Sequence, residues 1–215
     1  MQIGIREIIK NRDLEVLRSV LSMNPALANE GIGLETEENV KAHPLHRLGD
    51  AIFSKEISEE EAIAFAKIFL DFGASIDGIN LAENQDSPLT AAVSFYAQRL
   101  ALFYIERGAN IHHKGCHGGT ALHWAAWCGC KEVLKKLIDL GANINQLCDK
   151  FKSTPLLWAV HGISFGGEGN QHQQEECIKI LLANNADKNI PNFEGYLPYQ
   201  FLEGKHLELR DLLKT

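Results

Sequence analysis

Apolar residues spaced three and four positions apart recur along this 215-residue chain. Val133, Leu134, Leu137 and Ile138 follow that rule, as do Cys177, Ile178, Leu181 and Leu182, and near the start Leu14, Val16, Leu17, Val20 and Leu21. Such spacing gathers side chains on one face and predicts amphipathic helices. Shorter and more uniformly apolar runs, Leu122 to Trp127 and Leu156 to Val160, precede two of them and predict short helices buried on most sides. A Ser or Thr with Pro directly after it suits the start of a helix, where the hydroxyl caps and the missing proline N–H costs nothing. Ser87-Pro88 and Thr154-Pro155 have that form. The longer helices should end at Gly73, Gly108, Gly141 and Asn185, residues suited to the left-handed conformation.

The pattern repeats with its lettering. Thr120-Ala121-Leu122-His123 is answered 34 residues later by Thr154-Pro155-Leu156-Leu157, and His43-Pro44-Leu45-His46, Ser87-Pro88-Leu89-Thr90 and a degraded Leu197-Pro198-Tyr199-Gln200 share it. In two units a Gly-Ala-Asn-Ile segment follows 21 positions on, at Gly108 and at Gly141. Gly73-Ala74-Ser75-Ile76 and Asn185-Ala186-Asp187-Lys188 fill the same place in the others. A helix, turn, helix and polar linker at a period near 33 is the mark of stacked repeats that bury their core against neighbours.

The residues resemble the ankyrin repeat family. Its consensus Thr-Pro-Leu-His-x-Ala and Gly-Ala-Asp-Val-Asn corresponds to Thr120-Ala121-Leu122-His123-Trp124-Ala125 and Gly141-Ala142-Asn143-Ile144-Asn145. The resemblance implies an all-α ankyrin repeat solenoid of about six helix-turn-helix units joined by short hairpin-like linkers, forming a single domain over 1–215. The expected units are an N-terminal capping repeat at 1–41, repeat 2 at 42–78, repeat 3 at 79–111, repeat 4 at 112–145, repeat 5 at 146–190 and a C-terminal capping repeat at 191–215. Repeats 2 and 5 are longer than the others. Their insertions are placed between the paired helices, around Ile52 to Ser58 and Ile163 to Gln174, where loops on one rim tend to serve binding.

Composition narrows the partners. A net charge of −7 with no basic run speaks against a nucleic-acid surface. Charged residues interrupt the apolar positions of Met1 to Asp13, and no segment reaches the roughly 18 to 20 apolar residues needed to span a bilayer. Five cysteines without framework spacing fit a reducing compartment. The expectation is a monomer that binds a protein, with no nucleic acid, membrane or cofactor, in the cytoplasm or exported as an effector without a classical signal peptide.

Three groups of residues suggest chemistry. Gly162-Ile163-Ser164-Phe165-Gly166 has the Gly-x-Ser-x-Gly lettering of a hydrolase nucleophile elbow, with Asp187 and His206 after it in the matching order, but that motif needs a strand before the Ser and a helix after it. Here a helix precedes Ser164 and glycines follow. His112, His113, Cys116 and His117, with Cys128 and Cys130 downstream, suggest a metal-responsive site, yet neither Cys-x-x-Cys nor His-Glu-x-x-His spacing is present. His46 and His123 are expected to hydrogen-bond the motif's own backbone and hydroxyl, as the family resemblance implies. The acidic run Glu59 to Glu61 after Ser58 reads as a capping box, and Asn170 with Gln173 as a second.

The resemblance also implies where a partner sits. Variable positions lie just before the Thr-Pro motif and at the end of the first helix, facing a concave surface. Among them are Phe95, Cys116, His117, Trp127, Phe151, His161, Phe193 and Tyr196, beside Ser153 and Glu194. Large aromatics at such places supply contact area at little entropic cost, so a non-catalytic interaction face on repeats 3–6 is the expected function. Trp124 and Trp158, four positions after the motif's Thr, are expected in the core.

Overall fold

The computed structural model describes residues 4–33, 41–166, 171–202 and 206–214. They form eleven helices and a single two-residue strand pair, Ile32–Gly33 (β1) against Lys41–Ala42 (β2), antiparallel with Ile32 opposite Ala42. The chain divides into two compact units: Met1–Ala82 with Asp86–Asn110, and Glu83–Gln85 with Ile111–Thr215.

In the first unit α1 (Ile5–Lys10) packs on α2 (Leu14–Met23), and two helix pairs follow, α3 (Pro44–Phe53) with α4 (Glu59–Asp71) and α5 (Pro88–Ser94) with α6 (Gln98–Glu106). First helices stack on first helices, α3 on α5, and second on second, α2 on α4 and α4 on α6. Leu17, Leu21, Leu45, Phe65, Phe69, Leu89 and Leu100 fill the interior with no exposed surface. Tyr104 is also fully buried, and its hydroxyl donates to the Leu45 carbonyl at 2.8 Å. A buried phenol needs such a partner.

The acidic run after Ser58 is more fully employed than a solvated helix start. Ser58 and Glu61 form the reciprocal capping box, at 3.2 Å for Glu61 N to Ser58 Oγ and 2.7 Å for Ser58 N to Glu61 Oε2. Glu59 reaches the start of α6, where its carboxylate accepts from the backbone N–H groups of Arg99 (2.6 Å) and Leu100 (3.0 Å). These are the orphan donors that every helix start leaves.

In the second unit the pairs are α7 (Ala121–Cys128) with α8 (Lys131–Asp139) and α9 (Pro155–Phe165) with α10 (Gln171–Ala183), closed by a 3-10 turn at Pro198–Phe201 and α11 (Leu207–Lys214). Again α7 stacks on α9 and α8 on α10. The fifth-repeat insertion departs from expectation in being partly helical: residues 163–165 extend α9, and 171–174 belong to α10. Residues 167–170, including Asn170, lie outside the described residues. The second-repeat insertion behaves alike at its start, since Ile52 and Phe53 are the last turn of α3.

The motif histidines divide. His123 fulfils the expected role: its Nδ1 lies 3.1 Å from Thr120 N and 2.9 Å from Thr120 Oγ, while Nε2 faces the Gln146 and Ser153 carbonyls at 3.0 and 3.2 Å. An acceptor at Nδ1 and a donor at Nε2 fix the neutral tautomer. His46 does not take this role, because its repeat starts with His43 in place of a hydroxyl residue. His43 caps α3 itself, Nδ1 accepting from Leu45 N at 3.3 Å and Nε2 bonding Asn29 Oδ1 at 3.0 Å. His46 instead lies 3.6 Å from Asp50.

Candidate functional site: an aromatic cavity in the second unit

Three linker segments of the second unit are tied to one another by backbone hydrogen bonds, Lys150 N to His117 O at 3.1 Å and Phe193 N to Phe151 O at 3.0 Å. Because the bonds use the loop tips, they set His117, Phe151 and Phe193 in register. The His117 and Phe151 rings lie 5.3 Å apart. His117 holds its place through a left-handed backbone (φ 60°), which a single residue can adopt at modest cost.

Facing these loop residues are the inner sides of α7 and α9. Trp124 and Trp127 come from α7, one turn apart, and Trp158, His161 and Phe165 come from α9 at the same helical spacing. Trp158 stands perpendicular to Trp124 (87°, centroids 5.0 Å apart) and steeply inclined to Trp127 (75°, 6.1 Å). Loops and helices together enclose a cavity of about 560 Å³, completed by Ser153, Asn192 and Glu194. Its wall is mostly carbon.

Polar groups are few and held in place. Asn192 is buried, and its side-chain oxygen accepts from the N–H groups of Glu194 (3.0 Å) and Tyr196 (2.9 Å), which fixes the turn carrying Phe193 and Glu194. Burial holds His161 below the ordinary histidine range, with the Glu194 carboxylate acting in the opposite direction. The ring of His161 packs on Phe201 with centroids 4.3 Å apart and the planes tilted by 48°. The atoms His161 Nε2 and Trp124 Nε1 are shielded from solvent without a hydrogen-bond partner.

Of the eight residues singled out from sequence, five line the cavity: His117, Trp127, Phe151, His161 and Phe193. Tyr196 is not in the lining and makes an edge contact with Phe201 at 5.7 Å. Cys116, half-buried in the 3-10 turn before α7, is not in the lining. Phe95 belongs to the first unit, where it packs on Phe53 at 5.1 Å and meets the edge of His46. Sequence reasoning assigned Trp124 and Trp158 to the core. Trp158 is 5% exposed and Trp124 half-buried, yet both present surface to the cavity. The missed signal was the recurrence of tryptophan at one repeat position in neighbouring units. Phe165 was also missed, because it arrives on the helical extension of α9.

The other chemistries fare differently. Ser164 lies inside α9 rather than at a strand-to-helix turn, and its hydroxyl donates to the Phe201 carbonyl at 3.0 Å. His206 is paired with Glu175 at 3.0 Å. Gly162, the first glycine of the motif, has a packing reason: a Cβ there would lie 2.5 Å from the Trp127 carbonyl oxygen. Among the described residues no group of three or more His, Cys, Asp or Glu side chains could hold a metal ion. His113 bonds the Gln85 carbonyl at 2.8 Å, and Cys128 and Cys130 are buried.

Helix pairs stacked like on like, with left-handed glycines closing the second helices, define a stacked-repeat scaffold. A family model for ankyrin repeats in three copies matches residues 56–148 and again 100–192, and the chain belongs to the ankyrin repeat family. Ankyrin repeats are generally protein–protein interaction modules. Among curated relatives, the ankyrin repeat, SAM and basic leucine zipper domain-containing protein 1 of Carollia perspicillata is 27% identical over 137 residues, which is 63% of this chain and 27% of the relative. Its counterpart in Dasypus novemcinctus is 33% identical over 86 residues, 40% of this chain and 17% of the relative. The chain thus spans about a quarter or less of the length of these relatives.

Proposed function

We propose that this protein acts without catalysis of its own, binding a protein partner through the aromatic cavity of the second unit. One observation carries the reading: five residues chosen for their variable repeat positions, Trp127 among them, line one open cavity with Trp124 and Trp158. Phe193 (61% exposed) and Phe165 (68%) stand at its rim, so large apolar surface is left in water that a partner would cover. Aromatic anchors in a pocket are where interface energy concentrates. The five cysteines, four of them buried, are in no disulfide, which suits a reducing compartment and supports a cytoplasmic site of action.

The test is calorimetry with the natural partner, obtained by affinity capture from the source cells. Trp127→Ala and Phe151→Ala are each expected to weaken binding by about 1–3 kcal/mol while the helical signal stays intact. Normal binding by both variants would show that the partner sits elsewhere.

A further inference from the structure

We propose that the group received by this cavity is a methylated lysine side chain of the partner, held as a cation by ring faces. The inference rests on the cavity being the partner site and adds what enters it.

Trp158 at 87° to Trp124 and 75° to Trp127 makes a corner of indoles rather than a stack, and Phe151 and Phe193 approach from the loops. Ring faces carry negative quadrupole potential, strongest for indole, and attract a cation within about 6 Å. Glu194 is the one carboxylate of the lining, and no Lys or Arg side chain is part of it. Charge and quadrupole therefore favour the same sign. Just outside, Lys150 Nζ lies 5.4 Å from the Phe151 centroid, so this ring is placed to take an ammonium, and a cation entering from the partner would displace Lys150 from it.

The wall also selects among cations. A bare lysine ammonium brings three N–H donors and a tightly held water shell, and a mostly carbon wall cannot replace the acceptors it would lose. Each methyl group removes one donor, spreads the charge and adds apolar surface, while the attraction to the rings persists. A neutral aliphatic side chain would gain burial but nothing from Glu194 or the quadrupoles. A methylated ammonium uses both features of the site. Its aliphatic stem and adjoining peptide would occupy the remainder of the 560 Å³.

The chain has three tryptophans, and all three line this cavity, so intrinsic fluorescence of the whole protein reads occupancy directly. The probes are N-acetyl-lysine methylamide with zero, one, two and three Nε-methyl groups, the uncharged carbon isostere ending in a tert-butyl group, and choline. Affinity is expected to rise with methylation, the trimethyl compound binding about tenfold tighter than both the unmethylated compound and the carbon isostere. Glu194→Gln, at an exposed position, and Phe193→Leu, which keeps bulk but removes the ring, should each weaken the trimethyl compound about threefold or more without altering the isostere. Equal binding of the isostere would overturn the cation reading and leave the partner site standing. Choline binding about tenfold tighter than the trimethyl compound would overturn the protein-borne source, and no response to any methylated probe would overturn the proposal entirely. Failure of the partner reading itself is separate, seen only when the natural partner binds Trp127→Ala normally.

Discussion

Two buried histidines, one in each unit, should make the fold lose stability in mild acid well before its carboxylates titrate. Burial lowers His123 to about 4 from an ordinary 6.5, and burial with the nearby His46 lowers His43 to about 4. In both, Nδ1 accepts and Nε2 donates; burial keeps the rings neutral, and the carbonyls of Ser153 and Gln146 act on His123 in the opposite direction without overcoming it. Between pH 6.5 and 4 the unfolded chain therefore binds protons that the native state refuses, and stability falls as pH falls. Working the binding polynomial at pH 5 gives a loss of about 2 kcal/mol for each histidine relative to pH 7.5, a large share of a typical domain's stability. Protonated Nδ1 of His123 would also face the fixed Thr120 N–H as a second donor, and only the Thr120 hydroxyl could turn to accept from it. Urea titrations at pH 7.5, 6.5, 5.5 and 5, followed by tryptophan fluorescence, read the second unit, since its cavity holds every tryptophan. His123→Gln supplies the control. Glutamine already serves at the equivalent place in the last repeat, where Gln200 Oε1 accepts from Leu197 N at 2.7 Å, and it cannot titrate. That variant should be less stable at pH 7.5 and should lose clearly less stability down to pH 5 than the unaltered protein, with His161 in the same unit supplying the remaining slope. Equal stability of the unaltered protein at pH 7.5 and pH 5 would refute the reasoning.

Two further substitutions test the packing. Gly162→Ala should push α9 off α7, because the new Cβ meets the Trp127 carbonyl oxygen at 2.5 Å and Gln174 Cγ at 3.1 Å; a loss of about 1–3 kcal/mol in thermal unfolding is expected. Tyr104→Phe removes the donor to the Leu45 carbonyl from a fully buried site, and should cost about 1 kcal/mol in urea unfolding followed by circular dichroism, with no change in tryptophan fluorescence of the folded protein.

Much of this was legible in the residues because a repeat constrains each position several times. The helix caps at Ser58, Ser87 and Thr154 and the left-handed closures at Gly73, Gly108, Gly141 and Asn185 follow from local chemistry, and they are where the lettering places them. His46 illustrates the limit. Its lettering matches His123, but the hydroxyl that would receive it is replaced by His43, and the ring turns to Asp50 instead. The cavity was half legible for a related reason. Position in the repeat marks Trp127, Phe151 and Phe193 as outward, but a tryptophan is large enough to be packed at one edge and open at another, and Trp158 is both. Phe165 depends on how far α9 continues into the insertion, which no periodicity in a glycine-bearing segment decides.

The central claim is that the cavity of the second unit, rather than the aromatic cluster of the first, takes the partner. Its most direct test sets two aromatic truncations side by side in calorimetry with the natural partner: Trp127→Ala inside the cavity, and Phe53→Ala, 61% exposed beside Phe95 in the first unit. The account predicts that Trp127→Ala weakens binding about tenfold or more and that Phe53→Ala leaves it within about twofold. Loss of binding by Phe53→Ala with Trp127→Ala unaffected would contradict it.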